Sequence, residues 1–356
     1  MESSTQARNI LVAPLNWGLG HATRCIPIIN ALLQNGFVPI LASDGSALEL
    51  LKKEFPQLTA LELPSYNIEY PEDGTKFKWK MLKNAPALID AIRSEKKLVK
   101  KWVTEYSLCG ILSDNRLGVV SKKVPSIFIT HQLNVLSGST TWISSKMHQH
   151  IISKFTECWV PDFEGKPNLS GKLGHRKGEI ENVKYIGPLS RFTKLSASVR
   201  YDLFILLSGP EPQRTILQHQ LGIEALQSNK TILFVKGVIE ETQKSERIGN
   251  VTFYNFMRSE QLQKAINESA MVVCRSGYTS IMDLAVLQKP CYFIPTPGQY
   301  EQEYLAERLQ KQELAPYSKQ EDFTFEKLSD IRKYKGLPEI ENPIHWKHLF
   351  CLFDGK

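Results

Sequence analysis

The stretch "NWGLGHATRC", residues 16–25, places a histidine where a strand-like run meets a helix-like segment. Gly18 and Gly20 precede His21, and glycine lets a backbone take positive φ angles and approach a ligand closely. His21 falls in the first helical turn, where the positive end of the helix dipole disfavours an imidazolium, so the residue is a candidate general base. A tight turn with a capping or surface histidine is the alternative.

A second strand-to-helix turn, "MVVCRSGYTSIMDLA", sets Arg275, Ser276 and Gly277 ahead of a helix that we expect to start near Tyr278. Backbone N–H groups and a hydroxyl at a helix N-terminus donate to phosphate oxygens, and arginine adds charge-assisted hydrogen bonds. The turn therefore predicts a diphosphate site. Asp283, well inside the helix, could accept protons from ribose hydroxyls. An N-cap serine and a solvated carboxylate are the alternatives.

Two more strand ends in the second half carry polar groups. "LLSGPEPQR" repeats the phosphate-site pattern with Ser208 and Gly209, although a plain turn is an equal reading. "IPTPGQYEQEYLAE" combines donors and acceptors suited to sugar hydroxyls, or else is an acid-rich helix N-terminus. Its candidate donor-binding residues are Gln299, Gln302 and Glu303, with Glu301 between them.

Asp114 in "ILSDNR" and His131 in "FITHQLN" follow two strand-like runs of the first half. Asp114 could orient a base and His131 could face an acceptor, while Asx residues after strands are also frequent turn formers. The sequence has no DxD-like run at a strand end and no Cys/His cluster, so we predict no metal site and no cofactor.

Composition and length set the class of protein. With 356 residues, 42% hydrophobic and 23% charged, the chain is typical of a two-domain globular protein. It has no apolar run of membrane-spanning length and no signal-peptide core, and its six cysteines are scattered, so we expect a cytoplasmic protein with reduced thiols. The net charge of +7 permits an anionic ligand, but nucleic-acid signatures are absent and we predict no such partner.

Continuous Val-, Ile- and Leu-rich runs alternate with helical patterns, which is typical of parallel sheets covered on both faces. The rhythm breaks near residues 188–201 and then restarts. We predict an α/β fold of two Rossmann-like, doubly wound domains facing across a cleft. The predicted limits are 1–187, a linker 188–201, a second domain 202–330 and a helical tail 331–356.

The stretch "KFKWKMLKNAPALIDAIRSEKKLVKKW" mixes lysine with aromatic and aliphatic residues. Such a helix could lie against anionic lipid, and peripheral contact with the inner membrane face is therefore open. An ordinary exposed helix with solvated lysines is the alternative.

Together, "GLGHAT", "RSGYTSIMDLA" and "PTPGQYEQEYLA" resemble the two-domain GT-B glycosyltransferases. The resemblance is to the family 28-like group that includes the lipid-linked UDP-N-acetylglucosamine transferase of peptidoglycan synthesis. An uncharacterised branch with the same GLGHATR opening is more similar still. The resemblance to these glycosyltransferases implies that the first domain faces the acceptor and that the second domain holds the nucleotide sugar.

The resemblance implies roles for individual residues. His21 would be the base or an acceptor contact, beside a loop whose usual three glycines are reduced to Gly18 and Gly20. The ribose-binding glutamate of the family is replaced by Asp283, and its glutamine pair becomes Gln302 and Glu303. The diphosphate would lie among Ser208, Arg275, Ser276 and Gly277.

The implied activity is transfer, with inversion and without a metal, from a UDP-linked sugar to a hydroxyl acceptor. We expect the acceptor to be a cell-envelope glycolipid or polysaccharide precursor, so that it could be lipid-linked. A nucleotide-sugar epimerase or hydrolase of the same fold, or a non-catalytic sugar-nucleotide-binding module, is the alternative. A dehydrogenase is disfavoured because the third glycine of the dinucleotide fingerprint is missing.

Overall fold

A computed structural model of the protein describes residues 7–67, 77–135, 141–176, 178, 181–340 and 344–354. Its strands in the first half are β1 (Asn9–Pro14), β2 (Val38–Ser43), β3 (Ala60–Glu62), β4 (Leu108–Asp114), β5 (Ser126–Ile129), β6 (Glu157–Val160) and β7 (Val183–Tyr185). Those in the second half are β8 (Leu203–Leu206), β9 (Ile232–Val235), β10 (Ser245–Ile248), β11 (Val251–Tyr254), β12 (Val272–Cys274) and β13 (Cys291–Phe293).

Helices connect and cover these strands. They are α1 (Gly20–Gln34), α2 (Gly45–Glu54), α3 (Phe77–Glu105), α4 (Thr141–Ile152), α5 (Gln213–Gln227), α6 (Ser259–Asn267), α7 (Tyr278–Leu287), α8 (Tyr300–Lys311) and α9 (Trp346–Phe350). Short 3₁₀ helices occupy Gln320–Asp322, Phe325–Lys333 and Cys351–Phe353.

The strands form two sheets with the order expected of doubly wound domains. The seven-stranded sheet runs β3-β2-β1-β4-β5-β6-β7, and the six-stranded sheet runs β10-β11-β9-β8-β12-β13. Every pairing is parallel except that of β10 with β11. Central strands such as β1 and β8 are buried on both faces, which explains their continuous apolar sequences. The predicted fold class is confirmed.

Two strands were not predicted from the sequence. Strand β7 has three residues, "VKY", too few to show a pattern. Strand β10, "SERI", is exposed along its whole length and forms an edge hairpin, so it has no apolar signal. Pairing with a neighbouring strand, rather than burial, defines both.

The first sheet ends at Tyr185 and the second begins at Leu203. Between them, residues 188–200 form neither helix nor strand. The domain limits assigned from the sequence, including those of this linker, remain predictions.

The tail after the second sheet returns to the first. The ring of Phe350 packs edge-on to Phe37 with centroids 5.7 Å apart, and both side chains are buried. Phe353 packs over Gly110 of β4, where a β-carbon would lie only 2.2 Å from the phenyl ring. Glycine at that position therefore makes room for the tail.

The lysine-rich helix predicted from the sequence is α3. Val99, Trp102 and Val103 pack into the core beneath the first sheet, while Lys97 and Lys101 are exposed. The side chains at the start of the helix, residues 77–85, lie outside the described set. Lipid contact at this end of the helix therefore stays a prediction. Across the described ranges, no helix has the length and apolar character needed to cross a bilayer.

Phe350→Ala should lower the free energy of unfolding by about 3–5 kcal/mol, because it removes a buried aromatic ring from the contact between tail and first sheet. Urea denaturation followed by fluorescence would measure the loss. The exposed neighbour Cys351, replaced by alanine, is the matched control and should change stability little. Equal stability of the two variants would contradict the packing assigned to the tail.

Candidate active site

The strand-to-helix turns of the two sheets face each other. Helix α1 follows β1, and helix α7 follows β12, so both helices present their N-termini at the carboxyl ends of parallel strands. The hydroxyl of Thr279 in the first turn of α7 donates to the carbonyl oxygen of Gly20 at the start of α1, at 3.1 Å. The cleft between the sheets therefore lies at these two helix starts.

Two adjoining cavities open at this point. Cavity 1 is mainly apolar, with Leu50, Val235 and Met257 in its wall. Cavity 2 also has polar side chains in its wall, among them His21, His131, Gln299, Glu301 and Gln302. Both cavities share Leu19, Gly20, Ser208, Thr279 and Ser280.

The start of α7 forms the junction between the cavities. Gly277 is its N-cap and has no side chain that could cap the first-turn N–H groups. Thr279 and Ser280 of this turn line both cavities. Gly209 faces the same place from the end of β8, with φ of +111°, an angle that favours glycine. Uncapped N–H groups with the helix dipole behind them suit an anion.

Asp114 lies beneath His21 at the end of β4 and is fully buried. Its Oδ1 atom is 2.7 Å from Nδ1 of His21, and Arg24 of α1 binds both of its carboxylate oxygens. Burial alone would raise the pKa of Asp114, but the charges of Arg24 and His21 outweigh it and lower the pKa to about 2. The carboxylate is thus ionised and can orient the His21 ring.

His131 connects this group to the second sheet. Its Nε2 atom is 2.8 Å from Oε1 of Glu301 in α8, and the side-chain amide of Gln132 donates to the other oxygen of that carboxylate. Burial lowers the pKa of His131, with Glu301 opposing the shift. The ring stacks on Tyr278 at 4.3 Å between centroids. The first turns of α7 and α8 therefore both contact the first domain.

Asp283 lines cavity 1 and does not reach cavity 2. Its Oδ1 atom accepts a hydrogen bond of 2.6 Å from the hydroxyl of Ser190. Burial raises the pKa of Asp283 to about 6, although Arg191 and Ser190 favour the ionised form. A carboxylate among apolar side chains, next to the anion-binding turn, can accept hydroxyl hydrogens from a ligand in cavity 1.

Arg275, which the sequence analysis placed at the diphosphate, does not line either cavity. The side chain is 1% exposed and turned away from both cavities, and its guanidinium donates to the carbonyls of Ile294, Pro295 and Gln213 and to Oε1 of Gln320. Burial lowers its pKa to about 9. Arg275 thus holds neighbouring loops together and does not face the predicted diphosphate.

Two further predicted donor residues also lie outside the cavities. The hydroxyl of Ser276 is buried and donates to the carbonyl of Gln302 at 2.8 Å, so it links α7 to α8. Glu303 is exposed and accepts a hydrogen bond from the backbone of Gly298. The remaining predicted residues line a cavity, apart from Asp114, which is buried and contacts His21. Those that line one are Gly18, Gly20, His21, His131, Ser208, Gly209, Gly277, Tyr278, Asp283, Gln299 and Gln302.

Residues that the sequence did not single out complete the site. Arg24 lies three positions after His21, on the same helix face, and this spacing is the one signal that could have identified it. Tyr66 lines cavity 2, and its hydroxyl is held by the buried carboxylate of Glu95 at 2.6 Å. His148 also lines cavity 2, and burial lowers its pKa to about 4. Within the described ranges, no three His, Cys, Asp or Glu side chains are grouped to hold a metal ion.

Arg275→Ala should lower the free energy of unfolding by about 2–4 kcal/mol, because buried carbonyls lose their donor. Once folded at low temperature, the variant should bind a nucleotide sugar with nearly unchanged affinity. Thermal unfolding and calorimetric titration would measure the two quantities, with exposed Arg247→Ala as the control. A large loss of affinity at unchanged stability would instead place Arg275 on the ligand.

Known proteins match both the second sheet and the whole fold. Residues 212–334 match the glycosyltransferase family 28 C-terminal domain. Over 338 residues the chain is 21% identical to an uncharacterized glycosyltransferase of Methanopyrus kandleri, covering 88% of this chain and 90% of that protein.

It is 24% identical over 282 residues to a second relative, covering 76% of each chain. That protein is the UDP-N-acetylglucosamine–N-acetylmuramyl-(pentapeptide) pyrophosphoryl-undecaprenol N-acetylglucosamine transferase of Haemophilus ducreyi. The crystal structure of Acinetobacter baumannii MurG superimposes with a TM-score of 0.52 at 13% identity, covering 98% of this chain and 99% of that one. The chain thus has the GT-B fold, and its second half is similar to the glycosyltransferase family 28 C-terminal domain.

Proposed function

We propose that the protein transfers a sugar from a UDP-linked donor to a hydroxyl acceptor, with inversion at the anomeric carbon. The observation that carries this proposal is the meeting of the two cavities at the N-terminus of α7, with His21 in the wall of cavity 2 and Asp114 buried behind it. A nucleoside, a diphosphate and a sugar can then occupy consecutive positions.

Cavity 1 suits the nucleoside. Its apolar wall can cover a base, and Asp283 offers an acceptor to ribose hydroxyls. The diphosphate would lie at the shared turn, where backbone N–H groups of α7 and the residues Ser208 and Gly209 surround it. Arg275 has no part in this arrangement, so the developing charge on the leaving diphosphate is stabilised by the helix N-terminus.

The sugar would extend into cavity 2 beside α8. Gln302 is oriented there by a hydrogen bond of 2.8 Å from the backbone N–H of Thr296 to its Oε1 atom, which leaves its amide hydrogens for the sugar. Gln299 lines the same wall. These groups can form hydrogen bonds with hydroxyls of the donor sugar, on the side of cavity 2 away from His21.

His21 is the proposed general base. With Nδ1–H donated to Asp114, its Nε2 lone pair faces cavity 2 and can take the proton of an acceptor hydroxyl as that oxygen attacks the anomeric carbon. Attack occurs on the face opposite the leaving diphosphate, and the bond between the anomeric carbon and the diphosphate oxygen breaks. Inversion follows from this single displacement.

The acceptor would enter past Trp17, Tyr66 and Leu117, which give this side of cavity 2 an apolar wall. We expect a cell-envelope glycolipid or polysaccharide precursor, and a lipid-linked acceptor would place the protein at a membrane surface. The names of the Haemophilus ducreyi relative and of solved GT-B proteins in complexes with UDP support the donor class.

Calorimetric titration with UDP-N-acetylglucosamine, UDP-glucose, GDP-mannose and NAD should detect binding of a UDP-sugar. Asp283→Asn should weaken binding of the UDP-sugar about tenfold or more, because the ribose hydroxyls lose a charged hydrogen-bond acceptor. Glu303→Gln, which lies outside the cavities, is the matched control. Absence of binding by any nucleotide sugar would contradict the proposal.

The same interaction makes binding pH-dependent. Because the pKa of Asp283 is raised to about 6, the carboxylate accepts ribose hydroxyls above that pH and is protonated below it. Affinity of wild type should therefore rise between about pH 5 and about pH 7, and that of Asp283→Asn should stay flat. The intact UDP-sugar is the probe because its diphosphate diester has no proton to lose in this range.

His21→Gln should reduce kcat about 10²- to 10⁴-fold while leaving donor affinity unchanged, since a general base acts in the chemical step. Asp114→Asn should also reduce kcat, by misorienting the ring. Transfer kinetics with an acceptor would measure both, and exposed His219→Gln is the control. A binding module would lose nothing with His21→Gln, and an epimerase or hydrolase would form product from donor alone.

A further inference from the structure

Arg24 contacts both histidines of cavity 2 although its own side chain is only 1% exposed. Its Nη1 atom is 2.9 Å from Nδ1 of His131, and its Nη2 atom is 2.9 Å from Nδ1 of His21. Nε and Nη2 also donate to the two oxygens of Asp114. One guanidinium thus lies between His21, on the proposed acceptor side, and His131, which contacts Glu301 on the proposed donor side.

The contact with His131 determines where that ring carries its proton. Arginine donates and never accepts, so Nδ1 of His131 must be the acceptor in this hydrogen bond. The ring proton is therefore on Nε2, from which it is donated to Glu301 at 2.8 Å. Burial keeps the pKa of His131 low, in agreement with a neutral ring.

His21 faces a competition between Arg24 and Asp114. If Nδ1 accepted from Arg24, the proton would be on Nε2 and the ring could not act as a base toward cavity 2. The carboxylate of Asp114 is closer, at 2.7 Å, and accepts only, whereas Nη2 of Arg24 already donates to that carboxylate. Nη2 has a second N–H that could reach Nδ1, but the carboxylate is the closer group and can only accept, so the proton of His21 is assigned to Nδ1 and Nε2 carries none.

We propose that Arg24 is a positioning residue with two roles: it fixes the proton of His131 on Nε2, and it holds and charge-balances the Asp114 carboxylate that keeps the proton of His21 on Nδ1. This rests on the proposed function of His21 as the base. By pairing with both oxygens of Asp114, Arg24 balances the negative charge that would otherwise act on His21 alone. The proton taken from the acceptor is therefore held less tightly than in a histidine–aspartate pair without a cation.

The charged and titratable groups around His21 come from four places. They are Arg24 on its own helix, Asp114 at the end of β4 and Glu301 in α8, and the fourth is the titratable but neutral ring of His131 after β5. Glu301 is itself bound by His131 and Gln132. Removal of Arg24 would leave the Asp114 carboxylate without its cation, so protonation of His21 would become more favourable.

Arg24→Met should move the acidic limb of the pH profile of kcat/KM upward by about one unit or more, besides lowering the plateau. Arg24→Lys keeps a cation beside Asp114, so its limb should stay near that of wild type while the plateau falls less. A lower plateau with an unmoved limb in Arg24→Met would overturn the proposal, because a purely structural loss has no reason to change the pH dependence. Nucleotide-sugar affinity and thermal unfolding of both variants would establish that they are folded.

A second measurement needs neither a stable Arg24 variant nor an identified acceptor. Nitrogen-15 NMR of wild type labelled in histidine reports the tautomer of each ring, with His21→Gln and His131→Gln providing the assignments. We expect Nδ1–H for His21 and Nε2–H for His131. The reverse tautomer at either ring would overturn the proposal, whereas the expected tautomers without any sugar transfer would indicate failure of the proposed function alone.

Discussion

The ionised carboxylate of Asp114 is fully buried at the end of a central strand, and the arrangement of the residues around His21 depends on the cation that accompanies it. A buried charge without a partner costs several kcal/mol, so Arg24 has to approach it from α1. This fixes the rotation of α1 against β4. Because His21 lies one helical turn before Arg24, the same rotation turns its ring toward cavity 2.

The proposed donor side presents backbone N–H groups, rather than charged side chains, at the start of α7. The first turn of α7 is uncapped and meets α1 through the hydrogen bond from Thr279 to Gly20. Tyr278 donates to the carbonyl of Pro161 at 2.8 Å, and Glu301 binds His131. Each contact joins a helix start of the second sheet to a strand end of the first. The geometry between the two halves of the site therefore follows from how these helix starts are seated.

Local pattern was sufficient to predict the fold, since buried parallel strands and the turns after them have strong apolar signals. It also located the turns that carry His21 and Gly277. It could not predict side-chain direction: Arg275 and Ser276 occupy a glycine-containing turn, but unpaired carbonyls and the start of α8 lie behind that turn and engage them. The spacing of Arg24 from His21 places both on one helix face, but the pattern could not reveal the carboxylate partner of Arg24, which is 90 positions away in the sequence.

Arg24 and Arg275 show how one residue type is used in opposite ways at equivalent turns. Both are buried, but Arg24 meets a carboxylate, which raises its pKa despite burial, whereas Arg275 meets neutral oxygens, and its pKa is lowered to about 9. The guanidinium of Arg24 and both Nη atoms of Arg275 are engaged by fixed protein groups, although Nε of Arg275 has no hydrogen-bond partner among the described residues. The anion site proposed at the junction of the cavities therefore depends on N–H groups, whose positions are set by the helix itself and need no rearrangement as charge develops.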